Sequence, residues 1–274
     1  MSEQRRSFAE DSPETILAAI DANMAGEVAA FGRYLPGGEF HEEAEACWYL
    51  TGLPSSLFNG VQLARFAEGD IDTKIERLLQ PFRERHLPVS WSVGPSSRPA
   101  ELGVRLAAHG LELVHIQTCM VADLHALNEP VETPPHLHIS VVENQEMLRT
   151  YANVSMRGFD APEAENKVYY NTYAAIGSGN DLPWRHYIGW LDEQPVAVSS
   201  LLLHAGVAGI YGVATVPTAR RQGIGAAMTL APLHEARARG YAIATLSPSD
   251  MGLRIYQRIG FREYCQMHIY AFET

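Results

Sequence analysis

From residue 137 onward, apolar and polar positions follow two distinct periods. Alternating or continuous apolar runs predict strands over 137–142, 184–191, 196–204, 207–216, 241–246 and 266–272. Apolar positions spaced by three and four predict helices over 145–157, 162–175, 224–239 and 251–259. Residues 192–195 turn the second strand into the third, and Ala205-Gly206 turns the third into the fourth. The order β-α-α-β-β-β-α-β-α-β mixes hairpins with helical crossovers. The expected fold class is therefore α/β of the α+β kind, built on a mixed sheet.

The N-terminal part carries a fainter copy of the same pattern. A strand over 88–93 surrounds Trp91, a short helix spans 99–109, and Gly110-Leu111 leads into a strand over 114–122. Residues 129–135 hold three prolines in seven positions, which neither a helix nor a central strand continues through, so they read as a linker. The expected division is one domain over 1–128 and another over 136–274. Laying Gly110-Leu111 over Gly260-Phe261 gives an offset of 150 residues, which puts Leu106 at the place of Tyr256 and Asp70 to Ile75 at the place of Arg220 to Gly225. The same offset leaves no room for a counterpart of the strand at 137–142.

The apolar run Ile210 to Val216 leads through Pro217 into Arg220-Arg221-Gln222-Gly223-Ile224-Gly225, and the helix pattern follows from Ala226. A strand, a glycine loop and a helix start aim several backbone N–H groups and a positive helix end at one spot, which suits a phosphate or pyrophosphate. At the matching place in the N-terminal part stand Glu68, Asp70 and Asp72, whose carboxylates would repel such an anion. A dinucleotide-binding fold expects a third glycine where Met228 stands, and strands joined by helical crossovers rather than hairpins.

About 30 residues beyond the loop, Ser249-Asp250-Met251-Gly252 is followed by Tyr256 and then Gly260-Phe261. The R-x-x-G-x-G loop and the S-x-x-G-x-x-x-Y-x-x-x-G-F run, in this order and spacing, resemble the GNAT superfamily of acyl-CoA-dependent N-acyltransferases. The resemblance is specific over 137–274. Over 1–125 it implies a degenerate GNAT-like repeat, giving two GNAT-like domains in tandem. It implies acetyl-CoA as the acyl donor. Val213, Ala214 and Thr215 would pair with the pantetheine arm, and an N–H there would polarise the thioester carbonyl. Backbone N–H groups of Arg221, Gln222, Gly223, Ile224, Gly225 and Ala226 would cradle the pyrophosphate, with charge added by Arg220 and Arg221. Tyr256 would be the general acid to the CoA sulfur. Ser249 would bond to the pantetheine or cap the helix that follows it.

A base is harder to find. Ile210 to Val216 contains no carboxylate, so His204, Tyr211, a water relay, Glu143 and Asp160 remain as options. By the resemblance, the acceptor cleft lies along residues 156–173. There Phe159, Tyr169, Tyr170 and Tyr173 mix with Asp160, Glu163 and Glu165, a combination suited to a cationic amine. The expected reaction is acetyl transfer to a primary amine of a small or amino-acid-like molecule. A non-catalytic acyl-CoA binder or sensor is the alternative. A protein acceptor with a basic tail is a third reading.

Charge and composition narrow the partners. The formal net charge is −11. Residues 1–135 contribute −10 of it, against −1 from 136–274, which argues against nucleic-acid binding and makes the N-terminal part the acidic one. Residues 195–218 carry no formal charge, but glycines and Pro217 break them up, so they read as two buried strands rather than a membrane span. The polar N-terminus lacks a signal-peptide core. Cys47, Cys119 and Cys265 show neither zinc spacing nor an even number, so no metal is expected and a cytoplasmic location is. The oligomeric state is left open.

Overall fold

Ser12 and Pro13 start the longest helix among the described residues. The Ser12 hydroxyl accepts from the Thr15 amide, Pro13 occupies the first turn, and α1 runs Pro13–Tyr34. The computed structural model describes residues 5–67, 69–129, 132–179 and 181–272. Glu68 of the acidic stretch, with Pro130 and Val131 of the linker, lies outside the described residues. After α1 come β1 (Glu39–Glu42), β2 (Cys47–Leu50), β3 (Gly60–Gln62), α2 (Ile71–Glu84), β4 (Val89–Val93), α3 (Leu102–Ala108) and β5 (Glu112–Asp123). The chain continues with β6 (Leu137–Val141), α4 (Gln145–Phe159), α5 (Glu163–Ile176), β7 (Trp184–Leu191), β8 (Gln194–His204) and β9 (Val207–Thr215). It ends with α6 (Ile224–Ala238), β10 (Ile243–Leu246), α7 (Leu253–Ile259) and β11 (Arg262–Phe272).

The elements expected from 137 onward are all present, within four residues at each end. The largest shift is at β11, which begins at Arg262 rather than 266; the exposed polar Arg262, Glu263 and Gln266 hide its start from an apolar-run reading. The expectations for β4, α3 and β5 hold equally. The region before residue 88, where the sequence pattern predicts no element, contains α1, α2 and three short strands. The buried alanines of α1 (Ala19, Ala25, Ala29, Ala30) are spread around the helix, because it packs on the sheet, on α5 and on β2 at once. A helix covered on several sides shows no single apolar stripe.

Among the described residues, the strands join one 11-stranded mixed sheet in the order β1-β2-β3-β4-β11-β5-β10-β9-β8-β7-β6. Its centre is an exchange. β11, the last strand, lies between β4 and β5, while β5 lies between β11 and β10. Both pairings of β11 are antiparallel: with β5 it runs nearly the full length of the strand, from Arg262↔Val121 to Ala271↔Glu112, and with β4 it covers the C-terminal part, from His268↔Val93 to Phe272↔Val89. Cys119 and Cys265 are cross-strand partners in this exchange. The uncharged stretch 195–218 forms β8, its turn and β9, and no helix among the described residues is long and apolar enough to cross a membrane.

Alternate residues of the C-terminal strands meet helices on opposite faces. The Ser199 hydroxyl donates to the Met228 carbonyl on α6 at 2.7 Å, while its neighbour Ser200 bonds the Tyr151 hydroxyl on α4 at 2.7 Å. In the N-terminal part, α2 and α3 pack on one face around Trp91, which is fully buried. α1 lies at the centre, where Ile16, Ile20 and Met24 cover Val121, Val207, Ile243 and Met267.

Candidate functional site

β9 is irregular where it matters. Tyr211 opposes Ser200 and Ala214 opposes Val198, so Gly212 and Val213 stand together opposite Ser199. This is a β-bulge, with Gly212 at φ +59 as a left-handed bulge residue. A bulge leaves backbone groups out of the ladder, here on an exposed glycine and on Val213. β9 pairs in parallel with β10 only at Ala208↔Ala244 and Gly209↔Thr245. Beyond those pairs the two strands no longer bond, and the sheet opens beside the bulge.

A cavity of about 490 Å³ sits at this opening. From the C-terminal part, Val213, Ser249 and Tyr256 line it together. Ala214 and Thr215 continue the strand beyond it, with Ala214 buried. Tyr256 is held by Ile259 and Phe261 in the core, its ring edge-on to Phe261 at 6.0 Å. Burial pushes its phenol up to about 12, so it stays a proton donor throughout the neutral range. α7 starts at Leu253 behind Gly252 and has no side-chain cap. Ser249 therefore does not cap this helix by its hydroxyl. Its carbonyl instead accepts from the Gly252 and Leu253 amides, and its residue lines the cavity.

The glycine loop follows the C-terminal end of β9, a few residues past the bulge and outside the cavity lining. Arg220 is a brace: its Nε donates to the Thr215 carbonyl at 3.0 Å and its Nη2 to the Gly158 carbonyl at 2.8 Å, tying the loop to β9 and α4. Arg221 is exposed at φ +63, and Gly223 caps α6 at φ +80. Two left-handed residues around Gln222 form a concave turn of amides, and Ala227 is the first residue of α6 bonded back to Gly223. The N–H groups of Ile224, Gly225 and Ala226 are thus free of the helix ladder and sit at its positive end.

The other half of the cavity comes from the N-terminal part, which sequence reasoning did not connect to the site. Met24, Glu27 and Val28 of α1, Tyr49 of β2, and Ser90 and Ser92 of β4 line it. Glu27 is half-buried at the cavity surface, and the protein around it pushes its carboxyl up to about 7 by desolvation. Its charge acts on Tyr49, Tyr151, Tyr169, Tyr173 and Tyr211, whose phenols are all raised chiefly by burial. No sequence motif marks Glu27. The only available signal was a carboxylate inside an alanine-rich, largely apolar helix.

The candidate bases named from sequence lie apart from it, except Tyr211. His204 ends β8 opposite Val207 at the far turn and packs against Gly26. Glu143 is exposed before α4, and Asp160 caps the end of α4 at φ +54. Tyr211 lines the cavity but donates to Asn23 Oδ1 at 2.7 Å. Of the acceptor-cleft residues on 156–173, Phe159 reaches the cavity. Glu163 and Glu165 fall in the first turn of α5, Tyr170 packs at the edge of the C-terminal core, and Tyr169 and Tyr173 pack with Phe31, Tyr151 and His186. Beneath the bulge, Ser200 joins Tyr151 to His186 Nδ1 at 2.8 Å, and burial drives His186 down to about 3, a neutral ring. A more open hollow of about 840 Å³ lies on the β6–β7 edge beside His138 and Trp190, and none of the residues named from sequence lines it.

Residues 202–264 match the family model described as an acetyltransferase (GNAT) domain. No curated protein matches the chain. Among solved structures, a GCN5-related N-acetyltransferase from Kribbella flavida superposes with a TM-score of 0.73 at 21% identity, over 93% of this chain and 96% of that one. A tandem GNAT protein from the clavulanic acid biosynthesis pathway gives 0.64 at 14% identity, over 98% and 97%. A GCN5-related N-acetyltransferase from Sphaerobacter thermophilus gives 0.63 at 17% identity, over 98% and 94%. The chain thus carries a GNAT acetyltransferase domain at 202–264, within a fold it shares over nearly its whole length with GCN5-related N-acetyltransferases.

Proposed function

We propose that the protein transfers an acetyl group from acetyl-CoA to a primary amine of a small molecule. The observation that carries this is the meeting of the β9 bulge and Tyr256 on one cavity, with a helix-start amide cradle just past the C-terminal end of the same strand. The pyrophosphate takes the N–H groups of 221–226. Arg221 adds charge to it, while Arg220 holds the loop. The pantetheine runs along Val213 to Thr215 and past Ser249. An amide freed by the bulge polarises the thioester carbonyl and stabilises the oxyanion formed when the amine attacks. As the C–S bond breaks, the Tyr256 phenol protonates the leaving thiolate. In this reading the chain is a tandem of two GNAT-like units, 1–128 and 136–274. The first has lost its cradle: Asp70 caps α2 where the anion would sit. The three cysteines, free thiols in this structure, fit a reducing cytoplasm.

Calorimetric titration with acetyl-CoA, followed by CoA release in the presence of amines, tests the proposal. Tyr256→Phe should bind acetyl-CoA as the wild type does and lose about 100-fold or more in kcat. Saturable acetyl-CoA binding with no CoA release to any amine would favour an acyl-CoA sensor instead. Failure to bind acetyl-CoA would overturn both readings.

A further inference from the structure

We infer that the N-terminal unit builds the acceptor half of the active site, that Glu27 on α1 is the base, and that the acceptor is a primary amine with one positive charge and an uncharged polar body. This rests on the acetyl-CoA reading above.

Glu27 is placed rather than loose. One turn earlier on the same face, Asn23 donates through Nδ2 to the carbonyls of Leu202, His204 and Val207 at 3.3, 2.9 and 3.1 Å. Two residues before Asn23, the buried Asp21 accepts from the Ser96 amide at 2.9 Å and from its hydroxyl. α1 is therefore pinned to both units within two turns of Glu27. From that helix the carboxylate reaches the cavity holding the bulge and Tyr256.

The remaining walls define the ligand. Among the described residues no Lys or Arg lines the cavity. The titratable groups that face it are Glu27 of α1, Tyr49 of β2, His115 of β5, Tyr211 of β9 and Tyr256 of α7, and His115 is exposed. Tyr151, Tyr169 and Tyr173 of α4 and α5 feel the Glu27 charge from behind. A lone carboxylate beside phenol rings suits an ammonium by charge and by ring faces. A substrate carboxylate or phosphate in the same space would meet Glu27 with no cation to pair it, and burying an unpaired charge is costly. The floor offers uncharged hydrogen-bonding groups instead: Gln62, Ser90 and Ser92 from the N-terminal unit, with Gln117, whose amide donates to Ser247 at 2.7 Å. Hydroxyl or amide groups on the acceptor fit these. The amino-acid-like acceptor expected from sequence does not, because its carboxylate would be unmatched.

The step balances. Glu27 takes one proton from the ammonium and passes it to water. The neutral nitrogen bonds to the acetyl carbon, and the C–S bond breaks with its electron pair on sulfur. Tyr256 protonates the sulfur, and its phenolate regains a proton from the nitrogen through water. Ammonium and acetyl-CoA give amide, CoA thiol and one proton. A carboxyl near 7 is ionised enough to act at neutral pH.

The experiment uses the full-length protein, saturated with acetyl-CoA and given matched pairs: ethanolamine and phosphoethanolamine, tyramine and tyrosine, glucosamine and its 6-phosphate. Expected is a preference of tenfold or more in kcat/KM for the uncharged-bodied member of each accepted pair, and an activity that falls as pH drops below about 7. Glu27→Gln should keep acetyl-CoA affinity, lose about 100-fold or more in kcat and abolish that acidic limb. Glu27→Asp should restore the limb with reduced turnover, which a purely structural Glu27 would not do. Equal use of the anionic members, an unchanged pH profile in Glu27→Gln, or no transfer to any amine by protein that binds acetyl-CoA would overturn the inference. No acetyl-CoA binding would sink the donor reading, and this one with it.

Discussion

The Tyr211 phenol donates a 2.7 Å hydrogen bond to Asn23 Oδ1, joining the strand of the bulge to the helix of the N-terminal unit. Asn23 is fully buried, and its amide nitrogen is shared among three carbonyls of the β8–β9 hairpin. Replacing it with Ala leaves the Tyr211 hydroxyl and those carbonyls without their partner. Unpaired buried groups cost about 1–3 kcal/mol each, partly relieved by water entering the gap. Asn23→Ala should therefore destabilise the protein by about 3 kcal/mol, a drop of roughly 6–12 °C in Tm by scanning calorimetry. An unchanged Tm would mean that α1 is held by its apolar contacts alone.

Glu27 should weaken the fold it serves. Its carboxyl is raised from an ordinary 4.5 to about 7, so between those values the native state holds a proton that the unfolded chain has lost. Stability then falls as pH rises through this window. The full penalty is present above about 7 and absent below about 4.5. At pH 8, Glu27→Gln should be more stable than wild type by about 1–3 kcal/mol, water in the cavity setting the lower end. At pH 4 the two should unfold alike. Urea unfolding at both pH values checks this, and a Gln variant equally or less stable at pH 8 contradicts it.

Gly225 separates binding from folding. A Cβ built there meets only Ile255 Cδ1 at 3.9 Å, so a side chain fits. Gly225→Glu places a carboxylate in the first turn of α6, which the helix dipole favours by a few tenths of a kcal/mol. The same charge would stand where the pyrophosphate is expected. Tm should hold or rise slightly, while acetyl-CoA affinity falls at least 100-fold by calorimetry. Retained affinity would place the CoA phosphates elsewhere.

The sequence was most legible where one local rule decides the outcome. Apolar runs bounded by Gly206, Pro217 and Gly260 marked β8, β9 and β11, and the loop ahead of Ile224 announced a helix start with free amides. Tyr256 was readable because a motif of fixed spacing carries it. Glu27 was not, since its helix shows no apolar stripe and its carboxylate reaches the site only after α1 crosses from one unit to the other. Arg220 has the residue type of an anion contact, and only its bonds to Thr215 and Gly158 show it bracing the loop. The alternation in β5 and β11 says that each is a strand but is silent on its neighbours.

Those neighbours make the two units interdependent. Among the described residues β11 pairs only with β4 and β5, both within the first 123 residues, and β10 has β5 along one whole side. Residues 136–274 made alone would keep β6 to β10 but leave Leu246 and Thr245 on an open edge and β11 with neither partner. Met267 and Ala271, buried in the intact chain, would lose their cover. Unpaired apolar strand edges associate. The fragment 136–274 should therefore aggregate or remain partly unfolded by circular dichroism and size exclusion. Produced together with 1–128, it should form a soluble one-to-one complex, because the exchange restores every pairing of β5 and β11. The complex should regain acetyl-CoA binding, as the loop and bulge lie in one fragment and need only a formed sheet. A soluble, monomeric 136–274 with a native-like melting transition would show that β11 can fold back beside β10 in place of β5.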